Sequence, residues 1–134
     1  MIEDDLNDIE VINAALIELS IPHPLQVFYT AKEAYDYLME TTQKPFVILC
    51  DIRMPAINGL SFRKMIMDNT YLKNKSIPFL FYTGAVSQEI VNEAYLLDVQ
   101  GFFKKGSTFT KIKDQLLSIY IYWKGCLHPN KIMN

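Results

Sequence analysis

The run Phe46-Val47-Ile48-Leu49-Cys50 is apolar at every position and stops on one carboxylate, Asp51. A strand with one wet face alternates apolar and polar residues. An unbroken apolar run therefore marks a strand covered on both sides, as in a parallel sheet flanked by helices. Phe79-Leu80-Phe81-Tyr82, introduced by Pro78, repeats the pattern, and Gly101-Phe102-Phe103-Lys104 supplies a further strand. The segments between these runs have the helical period. Leu6 to Ser20 sets Ile9, Ile12, Leu16 and Leu19 on one face, and Thr30 with Glu33 forms a capping box ahead of Ala34, Tyr35, Leu38 and Met39. Leu60 to Met67 and the stretch from a Ser87 cap to Leu97 follow, and the last helix runs from Phe109 to Trp123 with Phe109, Ile112, Leu116, Ile119 and Trp123 facing inward. Leu25 to Tyr29, after Pro22 and Pro24, reads as a strand; Met1-Ile2 reads as the end of another that is short or incomplete. The alternation predicts a doubly wound, five-stranded parallel sheet with helices on both faces, whose ligands bind beyond the carboxyl ends of the strands.

A chain of 134 residues suits a single domain of roughly 100–200 residues, with 1–125 as the folded unit and 126–134 as a C-terminal tail. Lys and Arg number 13 against 15 Asp and Glu, and the net charge of −2 gives no electrostatic footprint for direct nucleic acid or membrane-surface binding. Half the residues are apolar and 21% charged, which excludes disorder, and no apolar run nears the roughly 20 residues of a membrane span. The opening Met1-Ile2-Glu3-Asp4-Asp5 lacks the basic and apolar stretches of a secretory signal, so a cytoplasmic location is expected. Cys50 and Cys126 are too few for a disulfide framework and read as reduced thiols. His23 and His128 sit in proline-containing loops away from the acidic residues and are expected to face solvent.

On this fold the strand ends gather the reactive groups: Glu3-Asp4-Asp5 after the first, Asp51 after the third, Thr83-Gly84-Ala85 after the fourth and Lys105 after the fifth. Carboxylates brought together repel, so such a site raises a pKa or recruits a cation, and hard oxygen ligands without Cys or His neighbours suit Mg²⁺. The plainer reading of Glu3, Asp4 and Asp5 is an acidic turn complementing the dipole of the first helix. Asp51 is harder to set aside. It ends an apolar strand and faces two acids, a hydroxyl and a lysine, which makes it a candidate nucleophile.

The segment Asp51-x-x-Met54-Pro55-x-x-Asn58-Gly59 resembles the phosphoacceptor signature of response-regulator receiver domains, the two-component signalling modules of the chemotaxis-regulator type, and the likeness covers nearly the whole chain. It implies a stand-alone, flavodoxin-like receiver. Asp51 would be phosphorylated, with Asp4 a direct Mg²⁺ ligand, Glu3 holding metal-bound water, and Asp51 and the Arg53 backbone carbonyl completing the protein ligands. Thr83 would be the switch hydroxyl, Ala85 the small residue after it, Phe102 the switch aromatic and Lys105 the phosphate-contacting lysine. The implied partners are a histidine kinase or a phosphotransfer protein, and the only catalysis is of the domain's own phosphoryl transfer and dephosphorylation. Gly106 departs from the family, which usually has Pro after this lysine, in a cis peptide.

Three other readings compete. A haloacid-dehalogenase-like phosphatase would use the same aspartate but needs a second one two residues on, where Arg53 stands and cannot lose its proton. Flavin or nucleotide binding lacks a glycine-rich anion cradle in the first turn. A degenerate receiver, binding partners without phosphorylation, is the alternative that Gly106 and the short start leave open. Finally, Leu117, Ile121 and Tyr122 lie off the inward face of the last helix, which points to a homodimer unless the tail folds back to cover them.

Overall fold

In the computed structural model, which describes residues 1–129, the elements run α1 (Leu6–Glu18), α2 (Ala31–Glu40), β1 (Ile48–Cys50), α3 (Gly59–Asp68), α4 (Thr70–Asn74), β2 (Phe79–Thr83), α5 (Gln88–Leu96), β3 (Gly101–Lys104) and α6 (Phe109–Gly125). Each helix starts on a polar side chain that accepts from the amide three residues on: Asp5, Thr30, Asn58, Asn69, Ser87 and Thr108. These caps satisfy amides that the first turn of a helix leaves without an internal partner. At Thr30 the hydroxyl also donates to Glu33 Oε1 at 3.1 Å, so the box is closed through the side chains. Helix α4 was not legible in the apolar spacing; it arises because Asn69 both ends α3 and caps the next turn.

The three strands are parallel in the order β1-β2-β3, with Cys50 opposite Phe81 and Phe81 opposite Phe102. The expected five strands are corrected to three strands and two single-residue bridges. Ile2 pairs in parallel with Cys50 on one side and Phe28 on the other. The backbone bonds around it, Ile2 N to the Leu49 carbonyl at 2.8 Å and Glu3 N to the Phe28 carbonyl at 3.0 Å, extend the ladder by two rows without forming strands. Leu25 to Tyr29 contributes one pairing residue, Phe28, whose N–H donates to the Met1 carbonyl at 2.9 Å.

Successive strand residues point to opposite faces and define two cores. Ile48, Cys50, Phe79 and Phe81 pack with Ala31, Ala34 and Leu38 of α2, Phe62 and Ile66 of α3, Leu72 of α4 and Ala94 of α5. Leu49, Leu80 and Tyr82 pack with Ile12 and Ala15 of α1 and Leu116 and Ile119 of α6. Helices thus cover both faces, as the apolar strands required. No helix among the described residues is long and apolar enough to cross a membrane.

His128 corrects one expectation. Its ring is half buried, lies 5.6 Å from that of Phe46 at 18°, and its Nε2 is 2.7 Å from the Phe46 carbonyl oxygen. His23 is exposed as expected, with its ring stacked on that of Phe46, the centroids 4.1 Å apart. Cys50 and Cys126 are both unpaired thiols.

Candidate functional site

The ladder sets the site. Asp51 N donates to the Ile2 carbonyl at 3.0 Å, which places Asp51 beside Glu3, and Lys105 N donates to the Thr83 carbonyl at 2.9 Å, which places Lys105 just past the end of β2. Glu3, Asp51 and Thr83 are all buried, at 2%, 7% and 0% exposure. The loop after Asp51 is closed by Gly59 N donating to the Ile52 carbonyl at 2.8 Å and turns at Ala56, whose φ of 65° lies in the left-handed region. Gly59 is demanded by space: a Cβ there would lie 2.2 Å from the Asp51 carbonyl oxygen.

Asp51 is gripped from three directions. Its Oδ1 accepts a short hydrogen bond from the Thr83 hydroxyl and another from Ile52 N at 2.7 Å, while its Oδ2 lies 3.0 Å from Lys105 Nζ. Thr83 Oγ1 in turn accepts from Ala85 N at 3.1 Å. The Lys105 ammonium also contacts Glu3 Oε1 and Asp8 Oδ2, each at 2.7 Å. Asp8 was missed by the sequence reading: 97 residues separate it from Lys105, and one acid in the first turn of a helix carries no signal beyond dipole complementarity. Phe102 is partly buried, with its ring 5.9 Å from that of Phe81.

These contacts set the protonation of the site. Burial pushes the Glu3 carboxyl up to about 7, with the Asp51 charge adding to the rise and Lys105 opposing it. Burial acts on Asp51 in the same sense but is outweighed by the bonds from Thr83, Lys105 and Ile52, which hold it below its ordinary value and keep it ionised. Burial also works against the charge on Lys105, yet its bonds to Asp8, Glu3 and Asp51 raise its pKa. A raised acid binds its proton more tightly folded than unfolded, so metal-free stability should fall as pH rises from 4.5 towards about 7. Glu3→Gln should flatten that slope in thermal melts with chelator present; an equal slope in the variant would assign it elsewhere.

Carboxylate oxygens of Glu3, Asp4 and Asp51 lie within 4.8 Å of one another. All three are hard, anionic donors, so the set fits a divalent cation that prefers oxygen. Asp4 and Arg53 are exposed, and both line one open cleft with Ala85 and Asn58. No peptide bond among the described residues is cis, yet Lys105 reaches Asp51 with Gly106 behind it.

The structure is a parallel α/β domain with an ionised, lysine-bound aspartate at the carboxyl edge of its sheet, the edge at which domains of this class bind their ligands. The family model for the response regulator receiver domain matches residues 1–117, and the chain belongs to that family, the receiving modules of two-component signal transduction. Solved structures similar in fold include the phosphorylated cyanobacterial phytochrome response regulator RcpA, at 23% identity, 92% of this chain, 91% of that chain and a TM-score of 0.82. The Mn²⁺-bound response regulator Rcp1 matches at 22% identity over 96% and 95% of the two chains, with a TM-score of 0.82. The receiver domain of the sensor histidine kinase PA1611 from Pseudomonas aeruginosa PAO1, with magnesium coordinated in its active-site cleft, matches at 20% identity over 93% and 94%, with a TM-score of 0.73. No curated protein matches the chain in sequence.

Proposed function

We propose that this chain is a phosphoacceptor receiver, phosphorylated on Asp51 and signalling through protein contacts. In the transfer, an Asp51 carboxylate oxygen forms the new P–O bond as the P–N bond to a phosphohistidine of the kinase or phosphotransfer protein breaks, and the imidazole leaves with the electron pair. The observation that carries this reading is the ionised Asp51 held between the Thr83 hydroxyl and the Lys105 ammonium. Mg²⁺ held by Asp4, Asp51 and the Arg53 carbonyl, with Glu3 behind them, would neutralise charge on the transferring oxygens. Similar receivers that bind Mn²⁺ and Mg²⁺ support that choice.

Thr83 donates to Asp51 itself, so engaging a phosphoryl oxygen requires it to exchange that bond, and Phe102 packs close enough to β2 to respond. We assign Thr83, Ala85 and Phe102 to the switch, residues 1–125 to the receiver and 126–134 to a tail. The tail residues 130–134 lie outside those described. Reduced to one test, the wild-type chain incubated with acetyl phosphate should gain one phosphoryl group by intact mass in Mg²⁺ and none in excess chelator. Labelling that persists in chelator would refute the metal requirement.

Leu117, Ile121 and Tyr122 remain exposed on α6, at 36%, 59% and 63%. The described tail packs through His128 on Phe46 instead of lying over them, which favours a second copy of this chain as their cover. Replacing Leu117 and Ile121 with Lys should give a folded monomer where the wild type sediments as a dimer. A wild type that stays monomeric at high micromolar concentration, with and without phosphorylation, would remove the interface.

A further inference from the structure

The turn that presents Lys105 is held by a side chain that none of the site motifs contains. Gln115, on α6, accepts through Oε1 from Gly106 N at 3.1 Å and from the Tyr82 hydroxyl at 2.7 Å, while its Nε2 donates to the Lys104 carbonyl at 2.7 Å. The orientation of the amide follows from its partners: two donors face the oxygen and a carbonyl faces the nitrogen. Lys105 lies between the two clamped backbone groups, and its own N–H is fixed on the Thr83 carbonyl at 2.9 Å. The backbone is therefore tied on both sides of the lysine and at it.

Gly106 fits this clamp in two ways. It offers an N–H, which proline lacks, and it leaves room: a Cβ there would lie 3.0 Å from Ile112 N and Lys111 Cβ and 3.1 Å from Gln115 Oε1. Its φ is not in the left-handed region, so the requirement is space for α6 to approach, not conformational freedom. Lys carries its charge on a long flexible stem, so fixing the backbone beneath it narrows the positions its ammonium takes toward Asp51. Beyond the Lys105 N–H the chain leaves the β2–β3 pairing, and the Gly106 N–H turns to Gln115 instead.

We propose that Gln115 is a positioning residue for phosphoryl transfer at Asp51, acting through Lys105 by clamping the Lys104–Gly106 turn. The proposal rests on the phosphoacceptor reading of Asp51. It also gives Gly106 a role in an intact site, where a degenerate receiver would have no need for the lysine to be held.

A double-mutant cycle tests it, with labelling by acetyl phosphate in Mg²⁺ followed by intact mass. Gln115→Leu, close in size and without polar atoms, should slow labelling about tenfold in the wild-type background and change it less than about twofold in a Lys105→Ala background, because there is no ammonium left to position. A merely structural glutamine would slow both backgrounds equally, and that result, or no slowing in either, would overturn the proposal. If the wild type takes no label, the phosphoacceptor reading falls, and with it the catalytic consequence. The clamp itself is then judged by hydrogen exchange of the Gly106 amide, which should rise about tenfold in Gln115→Leu and would stay unchanged if no clamp exists.

Discussion

Gly59→Ala should destabilise the chain by about 3 kcal/mol, at or beyond the upper end of the usual range for overpacking, with a fall in Tm of about 10 °C. The added Cβ meets the Asp51 carbonyl oxygen at 2.2 Å, Ile52 Cα at 2.9 Å and Phe81 Cε1 at 3.0 Å. Two of these are backbone atoms in the segment that carries Asp51, so relief requires moving the loop after Asp51 or the start of α3. Serine or valine, being larger, should cost more. A Gly59→Ala protein within about 1 kcal/mol of wild type in urea unfolding would mean the loop yields cheaply and that Gly59 does not fix the site.

Lys105→Ala is the second. It removes the ammonium that meets Glu3, Asp8 and Asp51, leaving three acids facing one another with Asp4 close by. Breaking a fully buried ion pair costs about 3–5 kcal/mol, but Asp8 is 39% exposed and Glu3 escapes part of the penalty by keeping its proton, so about 2 kcal/mol is expected in chelator. Mg²⁺ should recover the loss and bind the variant about tenfold more tightly than wild type, since a nearby positive charge no longer opposes it. Labelling should be slower despite the tighter metal. A titration showing clearly weaker Mg²⁺ binding in the variant would make Lys105 a structural support of the metal ligands and not a competitor for them.

What the sequence disclosed and what it withheld divide along physical lines. Where one face or one cap decides local structure, the residues were enough: the apolar runs around Leu49 and Phe81 became strands, and Thr30 and Ser87 became caps. The doubly wound arrangement followed from strands apolar on both faces. The outer rows were over-read, because β propensity in Leu25 to Tyr29 cannot tell a strand from an extended segment that pairs at a single residue. In the site, Glu3, Asp51, Thr83 and Lys105 were found because each lies at or just past a paired segment of the sheet, the Ile2 bridge in the case of Glu3, a position that order along the chain fixes. Asp8 and Gln115 were not, since each meets Lys105 or its turn only through the packing of α1 and α6. Arg63 was hidden for a related reason. An arginine in an amphipathic helix reads as solvated, yet its guanidinium is buried, donating to the carbonyls of Leu97 and Asp98 at 3.0 and 2.9 Å.

The central claim is that Asp51 is the phosphoryl acceptor, and intact mass of wild type and Asp51→Asn, incubated side by side with acetyl phosphate and Mg²⁺, tests it most directly. Asn cannot act as the carboxylate nucleophile but can still accept from the Thr83 hydroxyl through its amide oxygen, so the fold should survive the change. One phosphoryl group on the wild type and none on Asp51→Asn is the result this account predicts; a variant labelled as fast as wild type would contradict it.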